Sequence, residues 1–175
     1  FDADVMIIDP KTNEESERRN RYAEFFWKSR ERRGVTIIDA QKLMRDRSYF
    51  ASMMVLQGEA DAMLSGYSRS YPTSLKPVLD LIPRATGVSK VASTNLMLTN
   101  HGPLFLADTA VNPNPTADEI AKIALMTSHV VKMFGFDPAV AMVSFGNFGS
   151  SKDESPKKMR KAVEILHENH PEMIV

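Results

Sequence analysis

Short continuous apolar runs alternate along the chain with longer stretches whose apolar positions recur at helical spacing. Val5-Met6-Ile7-Ile8, stopped by Asp9-Pro10, has the form of a buried strand. From 14 to 33 the pattern is helical, and Tyr22, Phe25, Phe26 and Trp27 supply its apolar face. Glu14, Glu15 and Glu17 crowd the start and Arg30, Arg32 and Arg33 the end, which complements a helix dipole. Those charges are expected as a solvated face, not a binding patch. Gly34 ends the helix. Val35-Thr36-Ile37-Ile38 predicts a short strand or extended segment, and Asp39 a helix cap. Leu43, Met44, Phe50, Met53, Met54 and Leu56 then continue at helical spacing to Gln57, a methionine-rich, adaptable core face.

The run 60–66 predicts a buried strand that ends in a glycine turn, and a helix is expected from near Pro72 to about Ile82. Residues 88–98 and 103–108 read as two strands joined by the turn Asn100-His101-Gly102, a β-hairpin. Thr116-Ala117-Asp118-Glu119 is a capping box that opens a helix carrying Ile120, Ile123, Ala124, Val130, Val131 and Phe134, stopped by Gly135. The apolar run 139–143 predicts a further strand. The last helix is expected to begin with Ser155 as cap and Pro156 at its first position, and to end by Pro171. Met173-Ile174-Val175 has the form of a strand start. Strands and helices in alternation predict an α/β fold with a mixed, mostly parallel sheet and one antiparallel hairpin.

Composition narrows the classes of function. The chain has 175 residues, 43% apolar and 25% charged, with equal numbers of acidic and basic side chains. A neutral balance argues against a dedicated nucleic-acid surface. No apolar run approaches the roughly 18 residues of a membrane span. There is no cysteine, so no disulfide framework and no thiolate chemistry, which fits a cytoplasmic protein. His101, His129, His167 and His170 form no metal-ligand pattern, and no metal site is expected. Phe1-Asp2-Ala3-Asp4 is not a natural start, so the chain is expected to be an excised piece of a longer protein.

Candidate chemistry lies in two loops. Ser144-Phe145-Gly146-Asn147-Phe148-Gly149-Ser150-Ser151 follows an apolar run and leads towards a helix. Glycines that admit a close ligand, next to a helix N-terminus, are a common anion cradle. The spacing is neither the P-loop pattern nor the dinucleotide fingerprint. A plain strand-to-helix connection explains the same residues. Lys157 and Lys158 either offset a nearby anion or are simply exposed. The second loop, from Ser65 to Thr73, is dense in hydroxyls around Arg69. Its position after an expected strand is where ligands bind in open α/β sheets. A salt bridge to Arg69 and hydroxyl caps on the next helix are the bland alternative.

Three segments together resemble a known family. Gly58-Glu59-Ala60-Asp61-Ala62-Met63-Leu64-Ser65-Gly66 with Thr73 to Leu79 is similar to the "ADG-x-x-x-G … T-x-x-x-P-x-L" region of phosphotransacetylases, although Ala62 stands where that pattern has a glycine. Leu106-Ala107-Asp108-Thr109-Ala110-Val111-Asn112-Pro113-Asn114-Pro115-Thr116-Ala117 resembles the family's "ADxAVNxxPTAEEL" segment, and Ala141-Met142-Val143-Ser144 its "AMLS" strand. Ser68-Arg69-Ser70-Tyr71 and Asn147-Phe148-Gly149-Ser150 look like one branch, the phosphotransacetylase-like domain of bacterial NADP-dependent malic enzymes. The resemblance covers nearly the whole chain.

The resemblance implies an isocitrate or isopropylmalate dehydrogenase-like fold, of which residues 1–175 form a partial region that spans parts of two α/β subdomains. It implies a parent that converts malate to pyruvate and carbon dioxide, with NADP and a divalent metal held in a dehydrogenase domain that this chain lacks. This portion would be regulatory, with acetyl-CoA as ligand and no cofactor of its own. The family's catalytic "SRG" segment has no counterpart in this chain, so no catalytic residue is assigned. Ser65, Gly66, Ser68, Arg69, Ser70 and Thr73 from one loop, and Ser144, Asn147, Gly149 and Ser150 from the other, would contact acetyl-CoA or phosphate. The two loops would line one cleft. Partners would be an acyl-CoA small molecule and further copies of the chain, with the 88–108 hairpin available to pair across a dimer, and neither nucleic acid nor membrane. The alternative activity is phosphate acetyltransferase, which moves acetyl between CoA and phosphate.

Overall fold

A computed structural model describes residues 5–146 and 149–175. They divide after Pro83 into two compact units.

The first unit is helical. Helix α1 (Ser16–Arg30) continues into a 3-10 turn (Glu31–Arg33) that closes on Gly34, whose φ of 82° is left-handed. Helices α2 (Ile37–Leu43), α3 (Arg47–Leu56) and α4 (Tyr71–Leu81) follow. The core is built from Tyr22, Ala23 and Phe26 of α1, Ala40 and Met44, and Tyr49, Phe50 and Met53 of α3, closed by Leu81. Tyr22 and Phe50 meet in a tilted aromatic pair at 5.1 Å, and Phe26 meets Tyr49 edge-on at 6.0 Å. Glu59 ties the loop after α3 to α1, through Arg21 Nη2 at 2.6 Å and Arg18 Nε at 3.5 Å. The buried Tyr22 hydroxyl lies beside that carboxylate without closing a hydrogen bond of ordinary geometry. Burial first, and the carboxylate second, push the phenol up to about 12.

Several expectations for this unit need correction. Residues 35–38 are not a strand. Thr36 Oγ1 accepts from Asp39 N, and the Asp39 carboxylate accepts from Thr36 N, so a capping box starts α2 at Ile37. Local capping outweighs the β-branched preference of the run. The helix expected through to Gln57 is two helices, because Asp46 turns extended and caps α3. Residues 5–8 and 60–66 form no strand, and Val5, Met6, Ile7 and Leu64 are exposed. A strand needs a neighbour for its backbone groups, and no described segment offers one.

The second unit holds a hairpin and two helices. Strands β1 (Thr94–Thr99) and β2 (Gly102–Ala107) pair antiparallel, with Leu96 opposite Phe105 and Met97 opposite Leu104. They form the one regular sheet among the described residues. Helix α5 (Ala117–Met133) opens on the expected capping box: Thr116 Oγ1 accepts from Glu119 N at 3.3 Å, and Glu119 Oε2 accepts from Thr116 N at 3.0 Å. Thr116→Ala is expected to cost about 1 kcal/mol of stability, visible as a lowered denaturation midpoint with the same slope. Ile120, Ala121 and Ala124 of α5 pack against Ala162 and Leu166 of α6 (Glu154–Asn169).

Helix α6 begins two residues earlier than expected, with Asp153 rather than Ser155 in the cap position. Ser151 Oγ and the Asp153 carboxylate bond at 2.6 Å and fix the chain there. Among the described residues the expected mostly parallel sheet is not seen. Its trace is one parallel bridge, Ala139 to Ile174, where Val140 N donates to Ile174 O at 2.9 Å. Val140, Met142, Met173 and Val175 lie against the α5–α6 core, so both apolar runs are used for packing.

Candidate functional site

The start of α3 sets up the most distinctive chemistry of the first unit. Asp46 stands between Arg45 and Arg47. Its Oδ1 accepts from Ser48 N at 2.8 Å and Tyr49 N at 3.3 Å, which caps the helix. Its Oδ2 accepts from Arg69 Nη1 at 2.6 Å. Burial is the largest influence on this carboxyl and pushes it up. The hydrogen bonds from Arg69, Ser48 and Tyr49 together outweigh it and hold the group below the usual carboxylate range.

Two concavities of about 410 Å³ each adjoin this pair and share Arg47 and Arg69 as walls. In the first, Lys11 and Arg45 join those arginines, so four cations face two carboxylates, Asp9 and Asp46. Arg45 and Arg47 make no ion pair among the described residues. Arg47 is the first residue of α3, where the helix dipole disfavours a cation. An anion offsets both effects. The second concavity is amphipathic: Met63, Leu64 and Tyr67 oppose the arginines, with Ser65, Gly66 and Ser68 between. Gly66 has φ 128°, which an L side chain rarely adopts, so the loop turns there on glycine.

Four of the expected contact residues of this loop, Ser65, Gly66, Ser68 and Arg69, thus line one hollow. Ser70 and Thr73 do not. Their hydroxyls bond each other at 2.7 Å at the start of α4. The salt bridge foreseen as the bland role of Arg69 is present, and it orients the guanidinium at the mouth of both hollows.

In the second unit, Ser144 Oγ donates to Gly146 O at 3.1 Å. Gly149 has φ 81°, and a Cβ there would stand 3.2 Å from Arg160 Nη1 of α6. Ser150 is exposed, and Asn147 lies outside the described residues. Lys158 is not free: its Nζ donates to Asn114 Oδ1 at 2.7 Å and pairs with the Glu154 carboxylate at 2.9 Å.

The motif residue Asp108 is a structural hub. Its carboxylate accepts from Ser93 N at 2.9 Å, Ser93 Oγ at 2.5 Å, Val111 N at 3.2 Å, Asn112 N at 2.8 Å and Asn112 Nδ2 at 2.5 Å. Burial pushes this carboxyl up, but the bonds from Ser93 and Asn112 win and drive it far below the usual range. A carboxylate so fully satisfied is a weak base, so the Ser93–Asp108 pair is not an activated nucleophile.

Known proteins share this chain's sequence and fold. The family described as Phosphate acetyl/butaryl transferase matches residues 1–175. The chain belongs to that family. A phosphate acetyltransferase of Synechocystis is 37% identical over 169 residues, which is 97% of this chain and 24% of that protein. An NADP-dependent malic enzyme of Escherichia coli is 38% identical over 164 residues, 93% of this chain and 22% of that protein. The crystal structure of a phosphotransacetylase from Streptococcus pyogenes superposes with a TM-score of 0.77 at 34% identity, over 99% of this chain and 52% of that one. The fold is thus an α/β fold similar to phosphotransacetylases. The chain spans between about a quarter and half of the length of these relatives.

Within the family motifs, Asp108 and Asn112 of the "ADxAVN" segment serve the fold, by closing the loop after β2. Lys11, Arg45, Arg47 and Arg160 were not expected at either loop. Arg45-Asp46-Arg47 carried a readable signal, an acidic cap flanked by cations at a helix start. Lys11 and Arg160 come close to the loops only through tertiary packing.

Proposed function

We propose that this chain is the acyl-CoA-responsive regulatory region of an NADP-dependent malic enzyme, and that Arg47 and Arg69 receive the phosphate-bearing end of acetyl-CoA. The supporting observation is the pair of adjoining hollows that share these two arginines, one cationic and one amphipathic. Guanidinium groups bind phosphate oxygens in bidentate fashion, and an apolar wall beside them suits the remainder of such a ligand. The described residues offer a binding wall and no nucleophile paired with a competent base, which favours response over turnover. The identity to malic enzymes named as NADP-dependent supports the parent. The proposal includes an isocitrate dehydrogenase-like sheet, of which the Ala139–Ile174 bridge would be the first parallel rung.

Phosphate acetyltransferase activity is the second reading. The identity to the Synechocystis enzyme favours it as strongly as the malic enzyme match favours the first. One experiment separates them. Acetyl-CoA binding to the intact protein is measured by calorimetry, alongside malate-dependent NADP reduction and acetyl phosphate formation. Binding that changes NADP reduction without acetyl phosphate supports regulation, and robust acetyl phosphate formation moves the assignment to the second reading. Arg69→Ala is expected to weaken acetyl-CoA about tenfold. An unchanged dissociation constant removes Arg69 from the site.

A further inference from the structure

We propose that the two hollows of the first unit together bind a free nucleoside triphosphate, with its base over Tyr67 and its phosphates running past Arg47 and Arg69 to Arg45 and Lys11. This rests on the reading that Arg47 and Arg69 receive phosphate, and it adds a competitor for acetyl-CoA at that place.

The charge balance of the first hollow is the starting point. Its two carboxylates are already engaged. Asp46 accepts from Ser48 N, Tyr49 N and the Arg69 guanidinium, and Asp9 Oδ1 accepts from Lys11 N at 3.0 Å. Among the described residues, Lys11, Arg45 and Arg47 make no ion pair, whereas Arg18, Arg21, Lys28 and Lys76 of the same unit each find a carboxylate. Three unpaired cations on one concave wall focus a positive potential into it. A monovalent anion answers one of them. A row of phosphates answers several at once, the arginines through paired N–H donors and the lysine as a point charge.

The second hollow supplies the other half. Tyr67 is fully exposed, on the loop that turns at Gly66. An aromatic ring left in water beside arginines is a stacking platform for a nucleic base. Ser65 and Ser68 flank it with hydroxyls that can donate to or accept from a ribose. Because Arg47 and Arg69 wall both hollows, a ligand with its base at Tyr67 meets those guanidiniums first and Arg45 and Lys11 beyond them. Aromatic ring, shared arginines and further cations thus follow the order of base, sugar and phosphates along a nucleotide. Each hollow is about 410 Å³, within the roughly 300–1,000 Å³ of small-molecule sites. The features that bind are those of a nucleotide and not of an acyl group. ATP, which shares its adenine nucleotide end with acetyl-CoA, is therefore a competitor.

The test is calorimetry on the intact protein with ATP, inorganic triphosphate and acetyl-CoA. ATP is expected to bind and to raise the apparent dissociation constant of acetyl-CoA. The double variant Lys11→Gln, Arg45→Gln should weaken ATP at least about tenfold. Tyr67→Ala should weaken ATP about tenfold and leave triphosphate unchanged, whereas Tyr67→Phe keeps ATP. Circular dichroism should be the same for all variants, since these side chains are exposed. An unaltered protein that does not bind ATP overturns the proposal. ATP binding that ignores the double variant overturns it too, because the nucleotide then sits elsewhere. Tyr67→Ala without effect on ATP, with triphosphate bound as tightly, overturns the nucleoside assignment. ATP that binds with the expected sensitivities but does not displace acetyl-CoA overturns the competition. If ATP binds in this way and acetyl-CoA does not bind at all, the acyl-CoA reading fails and the nucleotide site stands.

Discussion

Asp108→Asn is expected to destabilise the second unit by about 3 kcal/mol, since hydrogen bonds to a charged acceptor contribute about 1.5–3 kcal/mol each. Asparagine keeps one acceptor and turns an amide donor towards Ser93 or Asn112, which are donors themselves. The loss is smaller than the sum of these bonds because Asp108 is only partly buried and water reaches some of the released donors. For a unit of this size the melting temperature should fall by roughly 15 °C. The pH dependence has a definite sign. The folded carboxyl lies below its unfolded value of about 3.9, so its stabilisation is fully present above that value and is lost as pH falls towards the folded one. The gap between the native protein and Asp108→Asn should be widest at neutral pH and narrow below about pH 4. Thermal melts followed by far-ultraviolet circular dichroism at pH 7 and pH 3 measure it. An equal gap at both pH values would contradict the role of the charged form.

Asp46→Ala should cost the first unit about 2 kcal/mol, the upper range for a lost N-cap. The side chain serves two backbone donors of α3 and the Arg69 guanidinium at once. Asp46→Asn separates the two roles, because asparagine caps about as well but carries no charge. Its cost should be below about 1 kcal/mol, as expected for a partly exposed ion pair. Trp27, the single tryptophan, packs against this core and reports its unfolding by fluorescence in a urea titration. If alanine and asparagine cost the same, capping is not what Asp46 contributes. Because the folded carboxyl is held low, the native advantage over both variants should shrink as pH falls below about 4. Asp46→Asn also removes the charge that orients Arg69, so on the ligand assignment acetyl-CoA affinity should fall less in this variant than in Arg69→Ala.

Features written within a few neighbouring residues were legible. The Thr116–Glu119 capping box, the Asn100-His101-Gly102 turn and the Gly34 stop all lie where the pattern placed them. Local features were misread where two local signals competed. Thr36-Ile37-Ile38-Asp39 has both β-branched residues and a capping box, and the box prevails because it satisfies two backbone donors immediately. Around Arg45-Asp46-Arg47 the apolar spacing hides a break that the acidic cap announces. Of the loop around Arg69, the sequence singled out Ser65, Gly66, Ser68 and Arg69, which line one hollow. It missed that Arg45, Arg47 and Lys11 approach from other elements and that Ser70 and Thr73 turn to each other.

By itself the sequence determined features whose hydrogen bonds close within a few residues: the first and the last two helices, the Gly34 stop, the presence of the hairpin and the family motifs. Tertiary structure alone decided what depends on distant partners. It left the apolar runs 5–8 and 60–66 without strand neighbours, and it limited the run 139–143 to one parallel bridge. It gathered four cations around Asp46, and it made Asp108 a hub by bringing Ser93 against it from 15 residues away. The physical reason is the reach of the interactions. A cap or turn is satisfied by its own neighbours, whereas a strand edge, a charge cluster or a buried carboxylate is settled only by what folding places beside it.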